Sequence, residues 1–237
     1  MTHGYRQDRL HGRLVHDLGA RIVRGELRPG APLPTEEKLA AELGLSRSAV
    51  REAFRVLAAK GLVVAKTRVG TLVQDESRWS LLDPDVLGWR YAADPTDRQL
   101  DELSSLRSAL EPEAARLAAT VRDRAPITAV REAYERMAAS VTRTDEFIAA
   151  DLDFHRAIVE AGANQLLVHL NTLMSLVLAA TREIHTRNTR RNRRTLPQHL
   201  AVLEAIEARD PALAASLMHE LVEGAQRDIR RDRGRTT

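Results

Sequence analysis

The chain has 237 residues, of which 43% are hydrophobic, 29% charged and 3% aromatic, enough for one or two packed domains and too apolar for wholesale disorder. It has no cysteine, which excludes disulfides, thiolate metal sites and a cysteine nucleophile. The net charge of +3 conceals a division: residues 1–75 hold 13 Lys/Arg against 8 Asp/Glu, whereas residues 76–237 hold 23 against 25. A basic first third on a slightly acidic remainder is expected of a nucleic-acid-binding module joined to a different kind of domain, although charge alone fits compositional drift equally well.

The polar start MTHGYRQDRLHGR offers no signal-peptide core, and a cytoplasmic location is expected. The longest apolar run, Leu173–Ala180, contains Ser175 and falls well short of a membrane span. Leu10, Leu14, Leu18 and Ile22 recur every four residues and predict a first helix ending near Gly25. GELRPGAPLP is turn chemistry. Thr35 then caps a short helix to Leu43, and Ser46 caps a third from Arg47 to Lys60. LVVAKT and TLVQ flank Arg68-Val69-Gly70 as two short strands. Residues 1–75 thus read as one domain, 76–96 as a linker and the first helix of a second, and 97–232 as the helical body of that second domain, to which the resemblance described below assigns effector binding and dimerisation. Helices are expected over 84–93, 97–122, 125–142, 144–162, 164–186, 196–209 and 211–231, with a break at Leu196-Pro197. The fold class is mostly α: a winged helix-turn-helix followed by a bundle of about seven helices.

Two helices joined at Leu43-Gly44-Leu45, the second polar at its start, have helix-turn-helix form. Val50, Phe54 and Leu57 make its packing stripe, while Arg47, Ser48, Arg51 and Arg55 lie on a separate one. Arginines at the start of such a helix can fork onto guanine or clamp phosphates. Solvated surface arginines remain the plainer reading of any one of them. Lys66 and Arg68 make the following hairpin basic.

The run RIVRGELRPGAPLPTEEKLAAELGLSRSAVREAFRVLAAKGLVVAKTRVGTLV resembles the winged helix-turn-helix of GntR-type bacterial transcription regulators, through PGxxLPxE, LxxxLGxSRxxVREAxxxL and the wing glycine. The resemblance implies DNA contacts from Thr35, Glu36, Ser46, Arg47, Ser48 and Arg51, and from the wing at Arg68 and Gly70. Two positions depart from the pattern. Glu37 stands where several relatives have a basic residue, and Arg68 replaces the first glycine of the common wing motif.

Asp151 and His155 are spaced i,i+4, and His199 lies on a later helix; a carboxylate with imidazoles suits Zn²⁺, Ni²⁺ or Mn²⁺. On spacing alone, a surface Asp–His hydrogen bond is the commoner arrangement. LRSALEPEAARLAA, DLDFHRAIVEAGAN and QHLAVLEAIEARDPALAASLMHEL resemble the FCD effector domain of the FadR subgroup of GntR regulators. That resemblance implies a divalent metal held by Asp151, His155 and His199, beside a small carboxylate effector. Leu221 stands where the family's fourth ligand, a histidine, is expected, and His219 lies about 200° away around its helix. Arg107 either pairs with Glu111 or, as the resemblance implies, grips the effector's carboxylate. WSLLDPDVLGW is similar to the corresponding segment in members that respond to sugar acids, of the galactonate-operon repressor type.

These readings converge on a homodimeric repressor of operator DNA, relieved by a small carboxylate such as a sugar acid. A metal-responsive regulator of the same fold is the alternative. A metal-dependent enzyme built on Asp151, His155 and His199 finds no support, because HELVE at 219–223 is not HExxH and no G-x-S-x-G, P-loop or G-x-G-x-x-G is present.

Overall fold

The structure, a computed structural model, describes residues 10–92, 95–185 and 189–233. The expected break at Asp94 and the last residues of the helices expected over 84–93 and 164–186 lie outside the described residues. The chain divides into two compact units, Met1–Ala93 and Asp94–Thr237.

The first unit contains α1 (Leu10–Val23), α2 (Glu36–Leu43), α3 (Arg47–Ala59), strands β1 (Val63–Lys66) and β2 (Gly70–Val73), and α4 (Pro84–Tyr91). Capping sets the helix starts: Thr35 Oγ1 accepts from the Lys38 amide and Ser46 Oγ from the Ala49 amide, each at 3.2 Å. Gly44, at φ 65°, ends α2 and turns the chain into α3. Val15, Ile22, Val50, Leu57, Leu62 and Val63 fill the core between α1, α3 and the hairpin. The strands pair antiparallel, Val63 opposite Val73 and Lys66 opposite Gly70. Pro32 bridges to Leu72, which ties the Pro/Gly turn to the wing.

Helix α4, assigned by the sequence to the effector side, belongs to the first unit and packs on α1. The indole of Trp89 supplies the reason. Its Nε1 donates to His16 Nδ1 at 2.9 Å, and its ring lies where a side chain on Gly19 would stand. The start of α4 is fixed as firmly. Asp83 Oδ1 accepts from the Asp85 and Val86 amides, and Lys60, at the end of α3, reaches both Asp83 (2.8 Å) and Asp85 (2.6 Å). Burial pulls the Lys60 pKa down, but the two carboxylates more than offset it and hold it above its ordinary value. The stabilisation that the Lys60 charge contributes is therefore present below its ordinary pKa of about 10 and is lost as pH rises through the raised value.

The second unit is built from α5 (Asp97–Thr120), α6 (Ala125–Ala139), α7 (Thr144–Ala161), α8 (Gln165–His185), α9 (Thr189–Glu207) and α10 (Pro211–Arg233). Ala114, Ala115, Ala118 and Ala119 give α5 a low-relief face for close helix packing, and Phe154, Leu203 and Met218 fill the interior. One helix start differs from expectation. Helix α9 begins at Thr189 and runs through Pro197, where the sequence predicts a break. Proline removes one amide and displaces the carbonyl four residues earlier. Here Pro197 and Arg193 are both exposed, so water can satisfy the freed carbonyl and the helix continues. Among the described residues, no helix is long and apolar enough to cross a membrane.

Gly19→Ala is expected to lower the stability of the first unit by about 1–3 kcal/mol, because the added methyl overlaps the Trp89 ring. Chemical denaturation followed by tryptophan fluorescence measures the loss.

Candidate functional sites

Of the residues proposed to meet DNA, Thr35, Ser46, Arg47, Ser48, Arg51, Arg68 and Gly70 are exposed and Glu36 is half-buried. Thr35 and Ser46 serve as helix caps, and Ser46 Oγ lies 3.0 Å from Ser48 Oγ. Arg47, Ser48 and Arg51 are exposed on the first turns of α3, while Val50, Ala53, Phe54 and Leu57 face the core. Neither arginine is without a counter-ion. Arg51 Nε donates to Glu36 Oε2 at 3.0 Å, and Arg47 pairs with Glu37. Glu36, singled out as a DNA contact, is therefore engaged by Arg51. Glu37 places a second negative charge beside the same surface. On the wing, Arg68 has φ 64° and Gly70 φ 100°. The first is a left-handed conformation that non-glycine residues adopt at a cost, so the tip keeps a glycine-like bend while presenting an exposed guanidinium.

The second site lies within the second unit. Asp151 and His155 project from α7 and His199 from α9, all buried, with one ligand atom of each lying within 4.8 Å of the others. His199 Nε2 is 3.0 Å from Asp151 Oδ1, and its Nδ1 is 2.8 Å from the Thr195 carbonyl. His155 Nε2 is 3.9 Å from the same Asp151 oxygen. Its Nδ1 lies 2.9 Å from Glu111 Oε2, off the line of the ring N–H. Phe154 stacks edge-on against both imidazoles, with centroids 5.7 and 5.2 Å away, and walls the cluster with apolar surface.

Arg107 extends the chain of charges. Its Nε and Nη2 donate to Glu111 Oε1 and Oε2 at 2.6 and 3.2 Å, so one edge of the guanidinium is committed to the carboxylate. Burial pushes the Glu111 carboxyl pKa up, but the Arg107 guanidinium and the His155 imidazole together hold it well below the usual carboxylate range. The sequence identified Glu111 only as a partner for Arg107; its contact with His155 required the packing of α5 on α7. Leu221, at the position of the family's fourth ligand, is buried with the core residues. His219 is half exposed and pairs with Glu223 at 3.3 Å, away from the cluster.

A winged helix-turn-helix joined to a helical unit with a buried polar cluster defines a transcription regulator with a separate sensing domain. Residues 10–73 match the model of the bacterial regulatory proteins of the gntR family, and residues 102–224 match the FCD domain. The galactonate operon transcriptional repressor of Escherichia coli K12 is 32% identical over 92% of this chain and 96% of its own length. The Glc operon transcriptional activator of the same strain is 32% identical over 88% of this chain and 84% of its own. Among solved structures, a GntR protein of Streptococcus agalactiae is similar with a TM-score of 0.52 at 25% identity, covering 92% of this chain and 99% of that one. The chain belongs to the GntR family of transcription regulators and carries an FCD domain. Its relatives and domains are those of regulators, not enzymes.

Arg47→Ala is expected to weaken binding to promoter DNA by tenfold or more, whereas Glu37→Ala, which removes the negative charge beside Arg47, is expected to tighten it several-fold and steepen its salt dependence. Fluorescence anisotropy against salt concentration measures both.

Proposed function

We propose that this regulator is a homodimeric repressor of a sugar-acid operon, released from its operator when a polyhydroxylated carboxylate binds beside a divalent metal at Asp151, His155 and His199. The observation that carries this reading is the convergence of three buried ligand atoms, one each from Asp151, His155 and His199, within 4.8 Å of one another. Both ring nitrogens of His199 face oxygen acceptors, the Thr195 carbonyl and Asp151. A neutral imidazole has a single N–H. If that proton serves the Thr195 carbonyl, Nε2 presents a lone pair beside the Asp151 carboxylate, and the two together suit a cation. His155 repeats the pattern, with Nδ1 towards Glu111 and Nε2 towards Asp151. A carboxylate or carbonyl behind each imidazole is the support that metal-binding histidines ordinarily have.

The donor set therefore fits a zinc, nickel or manganese ion with three protein ligands. Such an ion would supply a Lewis-acidic anchor with open positions for a carboxylate and a neighbouring hydroxyl. Arg107 Nη1 has no partner among the described residues, so the guanidinium can hold Glu111 on one edge and offer the other to an effector. The likeness to the galactonate operon repressor over nearly the whole of both chains supports the repressor and sugar-acid assignments. The effector acts by binding one arrangement of the protein better than another, and a two-fold dimer reads a two-fold operator.

Purified protein is expected to hold about one divalent ion per chain. Asp151→Ala and His199→Ala are expected to lose it, and Leu221→His, which restores a fourth ligand, to raise metal affinity at least tenfold; elemental analysis and competition with a chromogenic chelator read both effects. Arg107→Ala is expected to keep promoter binding and lose release by D-galactonate or D-gluconate in a gel-shift assay. Release by metal without any organic acid would favour the metal-responsive alternative.

A further inference from the structure

Asn192 stands apart from the metal cluster but shares its helix face. It lies on α9 seven residues before His199, two turns away, so both side chains leave the helix within about 20° of each other and about 10 Å apart along the axis. Asn192 is 1% exposed. Its Nδ2 donates to the Val141 carbonyl at 3.3 Å, which fixes the orientation of the amide, because the flipped form would set two oxygens against each other. The other end of the amide, Oδ1, is buried without any hydrogen-bond partner. A buried carbonyl oxygen left unpaired is costly, and a leucine of similar size would fill the position at no such cost. Ser104, one turn before Arg107, and Asn171 on α8 are further polar side chains buried in the same unit. Among the described residues, the buried side-chain atoms left without a hydrogen-bond partner are His155 Nδ1 and Asn192 Oδ1.

We propose that Asn192 is a specificity-determining residue of the effector site, its Oδ1 accepting a hydrogen bond from a hydroxyl of the ligand far from the metal-bound carboxylate. The proposal rests on the sugar-acid reading above and deepens it. An unpaired acceptor selects a donor, which an aldonate hydroxyl is and a carboxylate or methyl group is not. The spacing selects which hydroxyl. Of about 10 Å along α9, a metal–oxygen bond takes about 2 Å and a hydrogen bond about 3 Å. Roughly 5 Å remains, the reach of four or five bonds of an extended chain, which brings the hydroxyl at about the fourth carbon to Asn192. Two- and three-carbon hydroxy acids are too short to reach it.

The test is calorimetric titration of the full-length protein, with divalent metal, against D-galactonate, D-gluconate (its epimer at carbon four), the 4-deoxy analogue and the 2-deoxy analogue. Wild-type protein is expected to separate the carbon-four pair and to lose tenfold or more in affinity for the 4-deoxy compound. In Asn192→Leu that difference is expected to shrink below threefold, while the response to the 2-deoxy compound is retained. The unliganded melting temperature of Asn192→Leu should equal or exceed the wild-type value; Asn192→Ser serves as a second variant if the leucine packs poorly. Aldonate binding with undiminished carbon-four discrimination in both variants overturns the role of Asn192 alone. A wild-type protein that binds aldonates without regard to carbon four also overturns it, independently of any variant. Absence of binding by every aldonate overturns the sugar-acid reading, and this role with it.

Discussion

The second unit is organised around a buried carboxylate on which two imidazoles converge. Asp151 Oδ1 lies 3.0 Å from one imidazole and 3.9 Å from another, within an interior of Phe154, Leu203, Met218 and a run of alanines. Buried charge is tolerated only when it is paired, and Asp151 is paired with His199. Glu111 adds a second buried carboxylate, held by Arg107 and facing His155. Side chains from α5, α7 and α9 meet here, so a cation held at the cluster would become part of the domain's packing. A ligand attached to that cation would likewise touch α5, α7 and α9 together.

Charge is arranged differently on the DNA-binding unit, though counter-ions again precede the proposed ligand. Arg51 and Arg47 rest against Glu36 and Glu37 on the preceding helix, in solvent, where such pairs are weak and exchange readily. These contacts hold the two guanidinium groups between α2 and the start of α3. At the far end of α3, Lys60 joins the helix to α4, and α4 is held to α1 through Trp89 and His16. Helix α4 is thus tied to both α1 and the end of α3.

Much of this architecture was legible in the chain. Caps at Thr35 and Ser46, the glycine after Leu43, the strand pair and the helix starts at Pro84, Asp97, Ala125, Thr144 and Pro211 follow from local chemistry, and they stand where the sequence puts them. The Asp151–His155 spacing places both side chains on one helix face by periodicity alone. Less legible was α9, because a proline in mid-helix reads as a stop unless it is known to face solvent. That reading left Asn192 in a loop and concealed that it shares a face with His199. The placement of α4 was hidden for a related reason: a short amphipathic helix after a linker carries no mark of which unit it will join, and the cavity for Trp89 exists only because Gly19 lies on a helix 70 residues earlier.

The sequence by itself determined the class of protein, the winged helix and its basic recognition face, and the residue types available to hold a metal. These depend on spacings of a few residues, which helix and turn geometry convert directly into position. Tertiary structure alone decided which groups surround those residues: Glu111 behind His155, the Thr195 carbonyl behind His199, the acids of α2 against the arginines of α3, and an unpaired amide oxygen on Asn192. Such partnerships depend on how separate helices meet, on burial, and on the direction each N–H takes. No local pattern encodes them, because each is settled only when side chains from distant parts of the chain compete for the same few ångströms.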